Sequence, residues 1–208
     1  GRETSQEHKL VIGGYFLEEY SFEAAALFNP SVVPHPDQSG LPAGSVRLIF
    51  SLRGVGEGHL SSISFRTGVF TAAGELRLDE PVRWPVSPMI ESIPGGAPDD
   101  PGARLYFGEH QDLSQLVIFP VTYRQRGGLE DLRLVRFTQE DGHAVYLGTY
   151  TAFSGESVRQ ELLRTRDFAS FELSALHGPL SATKGMALFP RRIDGHFAML
   201  GRHDHENI

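Results

Sequence analysis

Cysteine is absent from the 208 residues, which excludes disulfides and thiolate zinc sites. Long apolar runs are lacking too. The longest, such as 23–28 and 116–121, fall far short of the roughly 20 residues that a membrane helix needs. An excess of Lys and Arg is also missing, because 19 of them stand against 26 Asp and Glu for a formal charge of −7. That balance argues against a nucleic-acid surface and leaves small neutral ligands open. No basic-then-apolar leader opens the sequence. These absences predict a soluble, cytoplasmic protein with neither a membrane nor a nucleic-acid partner.

Helical periodicity is scarce. Only Ser157–Arg166 competes as a short helix, and the segment 23–27 (EAAAL) reads as a helical turn or two. Residues 1–9 read as a polar, frayed end. From Asn29 the close-set Pro30, Pro34, Pro36 and Pro42 predict a loop with short extended pieces.

Strand-like runs fill the rest: Ser45–Leu52, His59–Phe70, Glu75–Trp84, Ala103–Phe107, Leu116–Tyr123, Ala144–Phe153, Val158–Thr165, Phe171–Leu176, Gly185–Ile193 and His196–Arg202. Residues 85–128 read as a long connection between units, densest in proline and glycine over 85–102. Residues 1–28 read as an N-terminal extension packing on the body.

One octapeptide repeats. Asp141-Gly142-His143-Ala144-Val145-Tyr146-Leu147-Gly148 recurs 53 residues later as Asp194-Gly195-His196-Phe197-Ala198-Met199-Leu200-Gly201. Each copy sets an Asp-Gly turn, a strong hairpin signal, between two apolar strands. A strand-built repeat of roughly 40–50 residues is the period of a propeller blade. Two blades and half of a third are then visible, so the fold class is all-β, with a β-sandwich as the alternative.

The stretch with chemistry in it is Gly127–Phe137 (GGLEDLRLVRF), where two adjacent carboxylates and an arginine stand at a strand mouth. Regular alternation would put Asp131, Arg133 and Val135 on one face and Glu130, Leu132, Leu134 and Arg136 on the other. Corresponding ends of successive blades converge on one axis. The converging candidates are Asn29, Arg53, His59 and Arg66, then Glu130, Asp131, Arg133 and Tyr150, then Lys184, Arg202, His203 and Asp204. Carboxylates and guanidinium forks hold vicinal hydroxyls while a tyrosine covers a sugar face, so the set suits a polyhydroxylated ligand. His59, His203 and His205 invite a metal, yet no matched third ligand accompanies them, and no metal is expected. The loop 54–58 lacks the Lys-Ser/Thr of a phosphate-binding loop and reads as a hairpin.

Six ordered motifs resemble glycoside hydrolase family 130, the β-mannoside phosphorylases and related β-mannosidases. They are FNPSVV (Phe28–Val33), GLEDLR (Gly128–Arg133), GTYTAFSG (Gly148–Gly155), RTRDFASF (Arg164–Phe171), KGMALFPRRIDGHFAML (Lys184–Leu200) and GRHD (Gly201–Asp204). The resemblance implies a five-bladed β-propeller, of which this chain supplies about half, with a second chain or further segment completing the ring, and an oligomer is possible. It implies Asp131 as proton donor through a hydroxyl of the bound mannosyl unit. Asn29, Glu130 and Tyr150, with Arg53, Arg66 and Asp204 from position, are the substrate-binding residues expected. Arg133, Lys184 and Arg202 are expected to hold inorganic phosphate as co-substrate, with no cofactor. The sequence departs from the family forms at Leu132, Gly185, Arg191 and Gly201, and Gly201 stands where a histidine assists phosphate. With water as nucleophile a carboxylate base is required, and Glu57 and Glu206 are the candidates. A sugar-binding or scaffold propeller without catalysis is the alternative function.

Overall fold

The computed structural model describes residues 5–15, 20–97, 100–108 and 111–202. One helix, α1 (Gln6–Tyr15), precedes the strands, where a frayed end was expected. Thirteen strands follow among the described residues: β1 (Ala26–Pro34), β2 (Val46–Val55), β3 (Ser61–Phe70), β4 (Leu76–Leu78), β5 (Met89–Ala97), β6 (Asp100–Tyr106), β7 (Val117–Ile118), β8 (Gly128–Thr138), β9 (Ala144–Phe153), β10 (Val158–Thr165), β11 (Ser170–Ala175), β12 (Ala187–Leu188) and β13 (Met199–Leu200). The protein is therefore all-β. No described helix is long and apolar enough to cross a membrane.

Two antiparallel meanders, β1–β4 and β8–β11, carry the architecture. They belong to one mixed sheet of order β1-β2-β3-β8-β9-β10-β11-β6-β5, joined by a single parallel pairing of Ser61 with Gly128. A separate pair, β12 and β13, packs beside β8 and β9. The described residues form no closed ring. Ser157–Arg166, the competing helix, is strand β10, because its apolar residues face both a neighbouring strand and the core. The stretch 85–128 is more structured than a connection: its β5–β6 hairpin extends the outer edge of β11, and β7 pairs with β3.

Proline does not exclude a strand at the N-terminal end. Pro30 and Pro34 both lie in β1, which has a strand on one side only and carries a bulge at Asn29-Pro30. Edges and bulges are where a missing N–H costs nothing. The repeated octapeptide does form two hairpins. Asp194 and Gly195 have φ of 49° and 76°, with the Ile193 and His196 backbones bonded to each other, as a type I′ turn requires. At the first copy the Asp141 side chain accepts the His143 N–H at 2.9 Å.

The core lies between the meanders. Ile49, Ile63 and Phe65 from β2 and β3 meet Leu129, Leu132, Leu134 and Tyr146 from β8 and β9, with Phe168 and Phe171 closing it. Phe65 stacks on Phe171 at 5.7 Å, and the Tyr146 ring sits edge-on to Phe168 at 4.7 Å. Each such burial stabilises by about 1.5–3 kcal/mol, so the faces of β2–β3 and β8–β9 hold each other.

Candidate active site

The site begins with two bulges of the same form. In β1, Phe28 pairs with Arg53 and Ser31 with Ser51, so Asn29 and Pro30 together oppose Leu52. In β8, Glu130 pairs with Thr151 and Arg133 with Thr149, so Asp131 and Leu132 together oppose Tyr150. An extra residue in one strand changes the side-chain parity beyond it. Leu129, Leu132 and Leu134 consequently all enter the core, and the regular alternation read from the sequence is broken at Asp131. Glu130 and Leu132 do not share a face as expected.

The bulged residues adopt left-handed backbone: Asn29 at φ 52° and Asp131 at φ 55°. Asn and Asp tolerate that region better than other side chains, which fits their presence here. Asn29 Nδ2 donates to Asp131 Oδ1 at 2.8 Å, joining the two meanders. Arg53 Nη1 stands 3.6 Å from the same carboxylate oxygen.

Glu130 is the hub. Its Oε1 accepts from Arg53 Nη2 at 3.0 Å and its Oε2 from Lys184 Nζ at 2.8 Å, with the carboxylate side chain only 12% exposed. Arg53 is fixed further by donating from Nε to Ser61 Oγ at 3.0 Å and by lying over the half-exposed ring of Phe28. Beside Lys184, Gly185 has φ 77°. A Cβ there would lie 3.7 Å from both Arg133 Nη2 and Arg202 Nε, so two guanidiniums converge on this glycine. Neither has an ion-pair partner among the described residues.

A cleft of about 600 Å³ opens at these strands and is lined by Asn29, Ser31, Asp131, Arg133, Ala187 and Leu188 among others. Asp131 supplies the one carboxylate among its described lining residues. Two clefts of similar size lie elsewhere, one apolar at Phe137, Leu147 and Phe197, the other over Asp100 and Arg124. Neither is lined by a candidate site residue.

Asn29, Arg53, Glu130, Asp131, Arg133, Lys184 and Arg202 are thus brought together. Tyr150 and Arg66 are not. Tyr150 is 1% exposed, and its hydroxyl donates to Glu161 Oε2 at 2.5 Å while accepting from Gln125 at 3.0 Å. It faces the core because it sits opposite the bulge, on the side where Leu132 packs. Burial lifts both the Tyr150 hydroxyl and the Glu161 carboxyl above their ordinary values. Arg66 is the second correction. Its neighbours Ile63, which pairs with Arg53, and Phe65 enter the core from one face of β3, whereas Arg66 leaves from the other face to pair with Glu23. Asp204, His203, His205 and Glu206 lie outside the described residues. His59 has φ 60°, and among the described residues no group of three His, Asp or Glu could hold a metal.

Sequence reading missed Ser31, Ser51, Ser61 and Phe28. A serine in a strand carries no signal of its own, while Phe28 was visible within the FNP motif.

The arrangement defines a polar cleft lined by the Asp131 carboxylate and the Arg133 guanidinium, with Arg202 meeting Arg133 at Gly185. No family model matches the sequence, and no curated protein does. Solved structures that the chain is similar to include a β-1,2-mannobiose phosphorylase from Listeria innocua, at 16% identity over 93% of this chain and 55% of that one, with a TM-score of 0.47. Another is a glycosyl hydrolase from Bacteroides ovatus, at 18% identity over 78% of this chain and 37% of that one, with a TM-score of 0.35. A third belongs to work on the GH130 family of mannoside phosphorylases, which contains glycoside hydrolases that target β-1,2 mannosidic linkages in Candida mannan. It is 18% identical over 78% of this chain and 37% of that one, with a TM-score of 0.37. The chain thus spans about half or less of the length of these structures. Likeness at this level leaves the case for function to the site's own residues.

Proposed function

We propose that this chain carries the acid side of a carbohydrate-active site that cleaves β-mannosides, with Asp131 as general acid. The two meanders and the β12–β13 hairpin are, in this reading, successive blades of a five-bladed β-propeller that a further segment or second chain completes. The observation that carries it is the meeting of Asn29 and Asp131, two left-handed bulge residues from different meanders, at a cleft lined by Arg133. Strained backbone of this kind persists where surrounding structure holds it and collects at functional sites.

Asp131 gives its proton to the glycosidic oxygen as the bond to the anomeric carbon breaks, and a nucleophile attacks that carbon from the opposite face. Arg53 and Asn29 orient the carboxylate. Lys184 is committed to Glu130 at 2.8 Å, so the cations left to hold an anion are Arg133 and Arg202. Inverting hydrolysis needs a second carboxylate roughly 6.5–9.5 Å from the acid. Arg133 and Arg202, converging on Gly185 without an ion-pair partner among the described residues, support the reading with phosphate, a nucleophile that needs no base. The products are then mannose 1-phosphate and the released sugar.

The test is product analysis of β-mannosides incubated with and without inorganic phosphate. Phosphate-dependent mannose 1-phosphate supports the proposal, and free mannose in both arms moves the reading to hydrolysis. Binding of mannosides without turnover would replace it with a sugar-binding propeller.

A further inference from the structure

Two hydroxyls in equivalent places make the same bond. Ser51 lies on β2 opposite Ser31, the first residue after the β1 bulge, and Thr149 lies on β9 opposite Arg133, the first after the β8 bulge. Ser51 Oγ donates to the Leu132 carbonyl at 3.3 Å, and Thr149 Oγ1 donates to the Met186 carbonyl at 2.5 Å. Leu132 directly follows Asp131, and Met186 directly follows Gly185. Each hydroxyl therefore holds the peptide just past a left-handed residue in the next unit of the chain, at φ 55° in one case and 77° in the other.

Both donors are buried, Ser51 at 1% and Thr149 at 0% exposure. The second latch is reinforced. Gln160, also 1% exposed, donates from Nε2 to the Thr183 carbonyl at 3.0 Å and to Thr151 Oγ1 at 2.8 Å, and its backbone N–H bonds the Ser181 carbonyl at 2.7 Å. Lys184 and Gly185 are thereby tied on both sides, at Thr183 and at Met186. Gln160 Oε1 is buried without a partner among the described residues, a penalty that an apolar side chain would avoid.

We infer that Ser51 and Thr149, the latter with Gln160, are positioning residues: Ser51 sets the Asp131 bulge, and Thr149 and Gln160 set the Lys184-Gly185 segment against Glu130 and the two guanidiniums. This rests on the proposed reaction for its kinetic part only. A bond to the neighbouring carbonyl fixes the direction of a strained residue, and small misplacements of a reacting group cost rate steeply.

The experiment uses the full chain with Ser51→Ala, Thr149→Val and Gln160→Met, plus Thr149→Ser as the conservative control. Mannobiose turnover is measured against inorganic phosphate, alongside amide hydrogen exchange of residues 130–134 and 183–188. Ser51→Ala is expected to lower kcat about tenfold with the phosphate KM unchanged, and Thr149→Val to raise the phosphate KM about tenfold with kcat nearly unchanged. Thr149→Ser is expected to restore the wild-type values. Exchange is expected to quicken at 130–134 in the first variant and at 183–188 in the valine and methionine variants. Equal losses of kcat and KM in both variants would reveal a merely structural role and overturn the inference. So would folded variants whose exchange matches wild type. A wild-type protein that turns over no mannoside once its ring is completed overturns the proposed reaction instead, and the latches then stand or fall on exchange alone.

Discussion

Asn29 and Asp131 occupy the same place in two successive meanders, each as the left-handed first residue of a bulge, and the first donates to the second at 2.8 Å. The acid of the site is thus held by its own counterpart. Asp131→Asn keeps a residue that accepts φ 55°, so its effect is chemical. Turnover of mannobiose is expected to fall about 10²–10⁴-fold with the unfolding midpoint unchanged, and near-wild-type turnover would remove Asp131 from the role of acid. Asn29→Ala loses both the bond and the backbone tolerance, and is expected to cost about 1–2 kcal/mol in urea unfolding. Asn29→Gly should recover the backbone share of that stability without recovering turnover.

Tyr150 marks the opposite case. Its buried hydroxyl donates to Glu161, so Tyr150→Phe leaves that carboxylate short of a partner. An expected loss of about 1–3 kcal/mol should appear in denaturant titration while the substrate KM stays put. A raised KM with intact stability would return Tyr150 to the binding site.

Glu161 gives stability a pH slope. Burial is the chief cause that lifts its carboxyl above the ordinary 4.5, and the bonds from Tyr150 and Gln125 oppose that only in part. A carboxyl raised on folding binds more protons in the folded state, so its share of stability is full below the ordinary value and falls as pH rises through the raised one. Glu161→Gln is expected to flatten that part of the profile and to be at least as stable as wild type at neutral pH. Urea midpoints measured from pH 4 to 8 check it, and an unaltered slope would refute the assignment.

Arg133 and Arg202 flank Gly185 without a described ion-pair partner. Replacing either with Ala is expected to raise the phosphate KM about tenfold or more, since a charge-assisted bond contributes about 1.5–3 kcal/mol. Stability should change by less than about 0.5 kcal/mol, because both side chains are exposed. Lys184→Ala should behave differently, costing stability as well, because it strips a cation from the largely buried Glu130.

The strands and the Asp-Gly hairpins could be read from the chain because alternation and turn chemistry are local. So could the charged members of the site, since Glu130-Asp131 and Lys184 stood out by type and by motif. The bulges could not. Phe28-Asn29-Pro30-Ser31 and Glu130-Asp131-Leu132-Arg133 share no residue, and only their register and backbone angles reveal them as equivalent. Tyr150 and Arg66 lie apart from the other candidates because of the faces they take, one opposite a bulge and one by regular alternation. The face that a strand residue takes depends on pairing and on every bulge before it, which residue type does not report.

Around the cleft four cations, Arg53, Arg133, Lys184 and Arg202, face two described carboxylates, Glu130 and Asp131, a formal +2 within a chain of −7. On the proposed reading, an approaching anion meets a chain of net negative charge with a local positive patch at this place. Capture of an anion then weakens as added salt shortens the reach of that field, to about 8 Å at physiological ionic strength. Glu130, by pairing with Arg53 and Lys184, leaves the uncompensated positive charge centred on Gly185, where the Arg133 and Arg202 guanidiniums meet, to one side of Asp131.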